Sequence, residues 1–378
     1  MRVGLLADRL DRGERRTGFC AYIEGLAHGL DEVPTDDRFV VFDVGTHATR
    51  NGFEGRESAV SFGTLSWPRR ATILAWALSN HPRIRDMEGP LDLLHVLTPT
   101  VPVPTAVPLV VTVHDLMPLK YPHLWRRRPQ IMFADAMRRF RRSARWVIAI
   151  SEATRRDVVE LLGFPEERTT VVHHGLPVHF ASAPAAAQDA VRQKYELGEN
   201  PVLLFVGAVA ERKNVVRLVD AFAHLAHDVL GVRLVLAGSP GIGYDRLIDR
   251  IRATGLSGSI TVTGHAPQGD VEALMATARG LVLPSLDEGF GFPALEAMSV
   301  GTPVIASTAG SLPEVVGDAG LLVSPIDADA IAAAMHRLIT DDGLRETLSR
   351  RSKERAATFT WRRAAEQTLE TYGHALGG

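Results

Sequence analysis

The sequence predicts an α/β protein of two Rossmann-like units. Three observations predict it. Short apolar runs rich in valine and leucine alternate with amphipathic stretches, the pattern of parallel strands covered on both faces by helices. The alternation stops at residues 181–190, ASAPAAAQDA, and then restarts. Several strands end in loops carrying glycine, histidine or paired charges, and the carboxyl ends of parallel strands are where such sheets hold ligands.

Taken in order, 2–7 is an apolar strand, and a polar loop with Gly13 and Gly18 leads to a helix over 21–30. Residues 39–43 form the next strand, 46–57 a polar loop, and 69–78 a helix with Trp67 and Trp76 nearby. Strands follow at 91–96, 107–113 and 145–151, the second running into His114-Asp115. Between the last two, 129–142 is helix-like, and arginines crowd its ends at 126–128 and 138–145. A helix over 152–162 and a strand over 169–173, ending in His173-His174-Gly175, complete the first half. The second half repeats the alternation: strands at 201–206, 232–237, 259–263, 280–284, 303–307 and 321–323, with helices at 215–227, 245–254, 328–340, 344–359 and 362–376. The expected division is 1–180, a linker at 181–190, a second domain over 191–358, and a C-terminal segment 359–378.

Composition narrows the function. The chain has 378 residues, 46% hydrophobic and 23% charged, as in a globular protein too long for one ordinary core. A net charge of −2 gives no global field for nucleic acid. The single cysteine, Cys20, excludes an internal disulfide and fits a reducing compartment. The N-terminal apolar run is too short, and too soon followed by charge, for a signal peptide, and no uncharged run approaches the ~20 residues of a membrane span. The expected location is the cytoplasm, with contact to the inner face of the plasma membrane left open.

The most informative stretch is 283–307, LPSLDEGFGFPALEAMSVGTPVIAS. Glu288 and Glu296 have seven residues between them, and Gly289 and Gly291 precede Pro293, which can open a helix. Backbone N–H groups at a helix start form an anion site, so two acids beside it need a separate reason. Carboxylates bind hydroxyls, and a ligand with phosphates at one end and hydroxyls at the other is a nucleotide sugar. Glu288 is expected in the loop and Glu296 in the first turn of the following helix; alone, the first also reads as a solvated loop acid and the second as a helix N-terminal acid. Glu211-Arg212-Lys213-Asn214 follows another strand, and Arg212 with Lys213 can neutralise a diphosphate. His114, at a strand end, can bond a sugar hydroxyl or be structural. Gly18 can let backbone approach a phosphate or simply turn the chain.

Other features point away from competing chemistry. Residues 238–243, GSPGIG, do not match a dinucleotide fingerprint. Asp327-Ala328-Asp329 reads as a helix N-cap rather than a metal site. His173-His174 lacks a third ligand at metal-site spacing. The arginines around 129–142 read as a solvated amphipathic helix, or as a dock for anionic lipid or a diphosphate-bearing acceptor.

These residues resemble the retaining glycosyltransferases of family 4, with the GT-B fold, over nearly the whole chain. EGFGFPALEAMSVGTPVIAS is similar to the family's E-x7-E stretch, VGAVAERKN to its donor-phosphate loop, and VTVHD to its histidine loop. SLPEVVGDAGLLVSPID is similar to the stretch after E-x7-E, and FTWRRAAEQTLETY to the C-terminal helix that crosses back to the N-domain. The resemblance implies two Rossmann-like domains facing a cleft, and transfer of a hexose from a nucleotide diphosphate sugar with retained configuration, no cofactor and no required metal. It implies that Arg212 and Lys213 hold the diphosphate, Glu296 the ribose and Glu288 the donor sugar. By the same resemblance the backbone of Gly289, Phe290, Gly291 and Phe292 meets sugar and phosphate, His114 meets the sugar, and the acceptor, a glycan or lipid-linked molecule, lies near Gly18. The ERKN form is similar to that of mannosyltransferases using GDP-mannose. One departure is TGFCAY, where Cys20 stands in place of a frequent second glycine. A nucleotide-sugar 2-epimerase of the same fold and a non-catalytic nucleotide-sugar-binding protein are the alternatives, the first opposed by the E-x7-E loop and the second by the complete Glu, Arg and Lys set.

Overall fold

The computed structural model describes residues 1–7, 18–43, 60–64, 69–79, 90–99 and 103–377. Gly13, the loop expected at 46–57 and Trp67 lie outside the described residues. The chain divides into two compact units, Met1–Val178 with Thr360–Gly378, and His179–Phe359.

The first unit is built on a parallel sheet of seven strands: β1 (Arg2–Leu6), β2 (Arg38–Asp43), β3 (Val60–Thr64), β4 (Leu93–Val96), β5 (Leu109–Val113), β6 (Trp146–Ala149) and β7 (Thr169–Val171), in the order β3-β2-β1-β4-β5-β6-β7. Burial explains why the strands read as unbroken apolar runs: all four residues of β4 and all five of β5 are buried. Local signals set the helix ends. Ser151 accepts from the Thr154 N–H to start Glu152–Leu162, and Gly163 ends it in the left-handed conformation. The helix Trp361–Leu376 lies against Gly18–Glu32. It is fastened by Trp361 Nε1–H donating to Leu176 O at 2.7 Å and by Tyr372 Oη at 2.7 Å from His95 Nδ1.

The second unit has six parallel strands: β8 (Val202–Val206), β9 (Arg233–Ala237), β10 (Ile260–Gly264), β11 (Gly280–Leu283), β12 (Val304–Ser307) and β13 (Leu321–Val323), in the order β10-β9-β8-β11-β12-β13. The order reverses between β8 and β11, so the loops leaving these two strands open the crevice where doubly wound sheets hold ligands.

Three expectations need correction. Residues 181–190 are not a plain linker: the helix Ala185–Lys194 begins inside them, after Pro184, and packs on Gln268–Thr277. Alanine has little periodicity to show but the highest helix propensity, and Val191 supplies the buried anchor. Gly18 belongs to the helix Gly18–Glu32 and not to a loop. Glu296 lies one turn deeper than the first turn of its helix, because that helix starts at Phe292. The sequence reading also did not register β3, Gln268–Thr277 or Leu312–Val316.

Candidate functional site

The loops after β8 and β11 meet through their backbones and then through charge. Leu286 N–H donates to Arg212 O at 2.9 Å. Asn214, left-handed at φ 58°, ends the one-turn Glu211–Lys213 segment and donates from Nδ2 to Pro284 O at 3.0 Å and Pro325 O at 2.6 Å. The turn therefore presents Arg212 and Lys213 to the loop that carries Glu288. Lys213 Nζ bonds Glu288 Oε1 directly. Arg212 Nη1 lies 3.2 Å from Glu288 Oε2 and 2.5 Å from Asp287 O. Ser285 Oγ–H donates to Glu288 Oε1 at 2.7 Å.

Lys213 is 9% exposed and Glu288 7%, so both charges have left most of their water. Burial alone would raise the Glu288 carboxyl; Lys213, Arg212 and the Ser285 hydroxyl outweigh it and draw it down to about 2. Burial lowers the Lys213 ammonium, Glu288 opposes that, and Arg212 adds to it, leaving the group below the ordinary lysine value. A buried ion cluster is poor evidence for stability, because desolvation offsets the attraction. At a strand-order reversal it is better evidence for a charged ligand.

Beside the cluster, the helix Phe292–Val300 begins with Pro293 in its first turn and Gly291 as its cap at φ +103°. That conformation suits glycine, and a Cβ here would also lie 2.8 Å from Leu312 Cδ2. Glu296, half-buried in this helix, accepts no hydrogen bond at its carboxyl from the described residues. Burial, then the nearby Glu272 carboxylate, raises it to about 7. The structure thus brings Arg212, Lys213, Glu288 and Gly289–Phe292 together in one unit, with Glu296 on the same helix.

His114 and Gly18 belong to the other unit. His114 Nε2–H donates to Leu97 O at 2.8 Å, and burial takes the ring down to about 4, so it is neutral at pH 7 with Nδ1 as the accepting nitrogen. Phe19 and Tyr22 meet its ring edge-on at 4.8 Å. His174 is buried, and its ring stacks on Trp361 at 5.5 Å. Asp327 accepts from Ala330 N–H as an N-cap. Among the described residues, no three His, Cys, Asp or Glu side chains are grouped to hold a metal ion.

The sequence reading missed Ser285, which bonds the Glu288 carboxylate, and the anchoring role of Asn214. Neither residue type carries a signal of its own; only the strand-end position of Ser285, three residues before Glu288, hinted at it.

Residues 21–180 match the family described as Glycosyltransferase Family 4, and residues 187–355 match Glycosyl transferases group 1. The chain is 35% identical over 231 residues to O-antigen chain mannosyltransferase B of Escherichia coli, covering 61% of each chain. It is 30% identical over 262 residues to MMP alpha-(1->4)-mannosyltransferase of Mycolicibacterium hassiacum, covering 67% of this chain and 60% of that protein. The chain thus spans about three-fifths of these relatives, and 36% of the serotype-specific mannosyltransferase WbdA of Escherichia coli, to which it is 28% identical over 296 residues. Among solved structures, HepE of Anabaena in complex with UDP and glucose superposes with a TM-score of 0.75 at 22% identity, over 99% of this chain and 100% of that one. WaaG, described as a glycosyltransferase involved in lipopolysaccharide biosynthesis, superposes at 0.72 and 17% identity over 100% of both chains. On these matches the chain belongs to the family 4 glycosyltransferases and has the GT-B fold.

Proposed function

We propose that this protein transfers a hexose, mannose by preference, from a nucleoside diphosphate sugar to a glycan or lipid-linked acceptor in envelope or exopolysaccharide assembly. The observation that carries the reading is the convergence of Arg212 and Lys213 on Glu288 where the strand order of the second unit reverses. The cations are assigned to the diphosphate, which displaces them from Glu288 and frees its oxygens for the donor's sugar hydroxyls. Glu296 takes the ribose, the amides of Gly289–Phe292 take sugar and phosphate, and His114 takes a sugar hydroxyl at Nδ1. The mannosyltransferase relatives support the choice of sugar. HepE is described in complex with UDP-glucose, a different donor; the nucleotide in our reading is GDP.

The bond from the anomeric carbon to the β-phosphate oxygen breaks, and the acceptor oxygen bonds to that carbon from the same face. The leaving phosphate takes the acceptor's proton. Arg212 and Lys213 stabilise the charge growing on it. In the free protein Lys213 and Arg212 hold Glu288 at about 2; in the donor complex of this reading it is assigned as a ligand of the sugar hydroxyls. No metal is required in this reading. The test is transfer from GDP-mannose to mannoside acceptors, followed by proton NMR with and without EDTA. An α-linked product, unchanged in EDTA, is expected. Inversion, or complete loss in EDTA restored by a divalent ion, overturns the corresponding part.

A further inference from the structure

The turn at Gly310-Ser311 packs against the Glu288 loop. Ser311 occupies the cap position of Leu312–Val316, where a serine ordinarily accepts from the helix's first amides, yet its side chain caps nothing. Its Oγ lies 3.0 Å from Glu288 O and 2.7 Å from Phe290 O, and its own N–H donates to Glu288 O at 3.1 Å. The residue is fully buried. Gly310, just before it at φ +61°, lets the turn come this close: a Cβ would stand 2.6 Å from Glu288 N and 2.7 Å from Asp287 Oδ1.

In a trans peptide the C=O and the following N–H point in opposite directions. Turning the Phe290 carbonyl into Ser311 therefore turns the Gly291 N–H away from it, at the cap of Phe292–Val300, where the helix dipole favours an anion. The Glu288 carbonyl, bonded by the same serine, fixes the start of the same turn. One buried hydroxyl thus sets the direction of the Gly291 amide, three residues after Glu288.

We propose that Ser311 is a positioning residue of the donor site, orienting the Phe290–Gly291 peptide so that the Gly291 N–H serves the diphosphate. The inference rests on the nucleotide-sugar reading above. A general structural role would weaken every ligand alike, whereas this role selects for the phosphate that the amide meets. The test is calorimetric titration of wild type and Ser311→Ala with GDP, GMP, UDP and UMP, alongside a thermal melt of each protein.

Wild type is expected to prefer the diphosphate over the monophosphate. Ser311→Ala is expected to lose at least about tenfold in diphosphate affinity, the scale of one hydrogen bond to a charged group, with the monophosphate nearly unchanged. A folded Ser311→Ala that keeps the wild-type preference, or weakens both ligands equally, overturns the proposal. Wild type that binds no nucleotide overturns instead the reading on which it rests. Should Ser311→Ala fail to fold, Ser311→Cys, near in size and a weaker donor, carries the same comparison with the same deciding outcomes.

Discussion

Lys213 and Glu288 lie in a place where neither charge is comfortable alone, and that is the source of their behaviour. Replacing either with alanine removes the group assigned to the diphosphate or to the sugar; turnover is expected to fall at least ~100-fold in a steady-state assay, with wild-type turnover contradicting the assignment. The pH dependences follow from the same side chains. Glu288 is held at about 2, below its ordinary value of 4.5, so its stabilising effect is full above about pH 4.5 and is lost as pH falls toward 2. Chemical denaturation across that range should show the loss, and Glu288→Gln should flatten it. Glu296 runs the other way: raised to about 7, it is a free carboxylate only above that pH. Nucleotide affinity should therefore strengthen as pH rises through about 7, and Glu296→Gln should remove the dependence in titrations at pH 6 and pH 8. Residue types and spacing made Arg212, Lys213, Glu288 and Glu296 candidates. Their pairing was not legible, because Lys213 and Glu288 are 75 positions apart and only the fold closes that interval.

The helix Arg127–Ser143 shows what an element can add. It buries Ala136, Met137 and Phe140 and leaves Ile131 and Met132 exposed, with Trp125 exposed just before it and Arg126, Arg127, Arg128, Arg138, Arg141 and Arg142 in solvent. Apolar and aromatic side chains among arginines suit an anionic lipid surface. Sedimentation with vesicles containing phosphatidylglycerol should capture the protein, and salt or Trp125→Ala with Ile131→Ala should release it; equal capture by neutral vesicles would refute an electrostatic dock. The C-terminal helix gives a stability test. Tyr372 Oη bonds a fully buried His95, whose other nitrogen meets Thr112 Oγ1 at 2.7 Å. Tyr372→Phe leaves a buried nitrogen unsatisfied and should cost about 1–3 kcal/mol in urea unfolding. Elements with caps and apolar periods were legible, as Ser151 and Gly163 show for Glu152–Leu162. Gln268–Thr277 was not: Pro267 stands where a capping side chain would, and Gly269, a poor helix former, lies in its first turn.

At the scale of the whole chain, strand–helix alternation was enough to give two parallel sheets, and the described structure has thirteen strands in two series. Strand order was not readable, although it explains the site: only the adjacency of β8 and β11 brings the arginine-lysine turn to the glutamate loop. The central claim is that a nucleoside diphosphate sugar binds through that convergence. A bound donor stabilises the folded chain by mass action, so thermal melting of wild type and Lys213→Ala with GDP-mannose, UDP-glucose, ADP-glucose and dTDP-glucose addresses it directly. At least one of these should raise the melting temperature of wild type and leave Lys213→Ala unmoved. No shift with any donor, or the same shift in both proteins, would contradict the account.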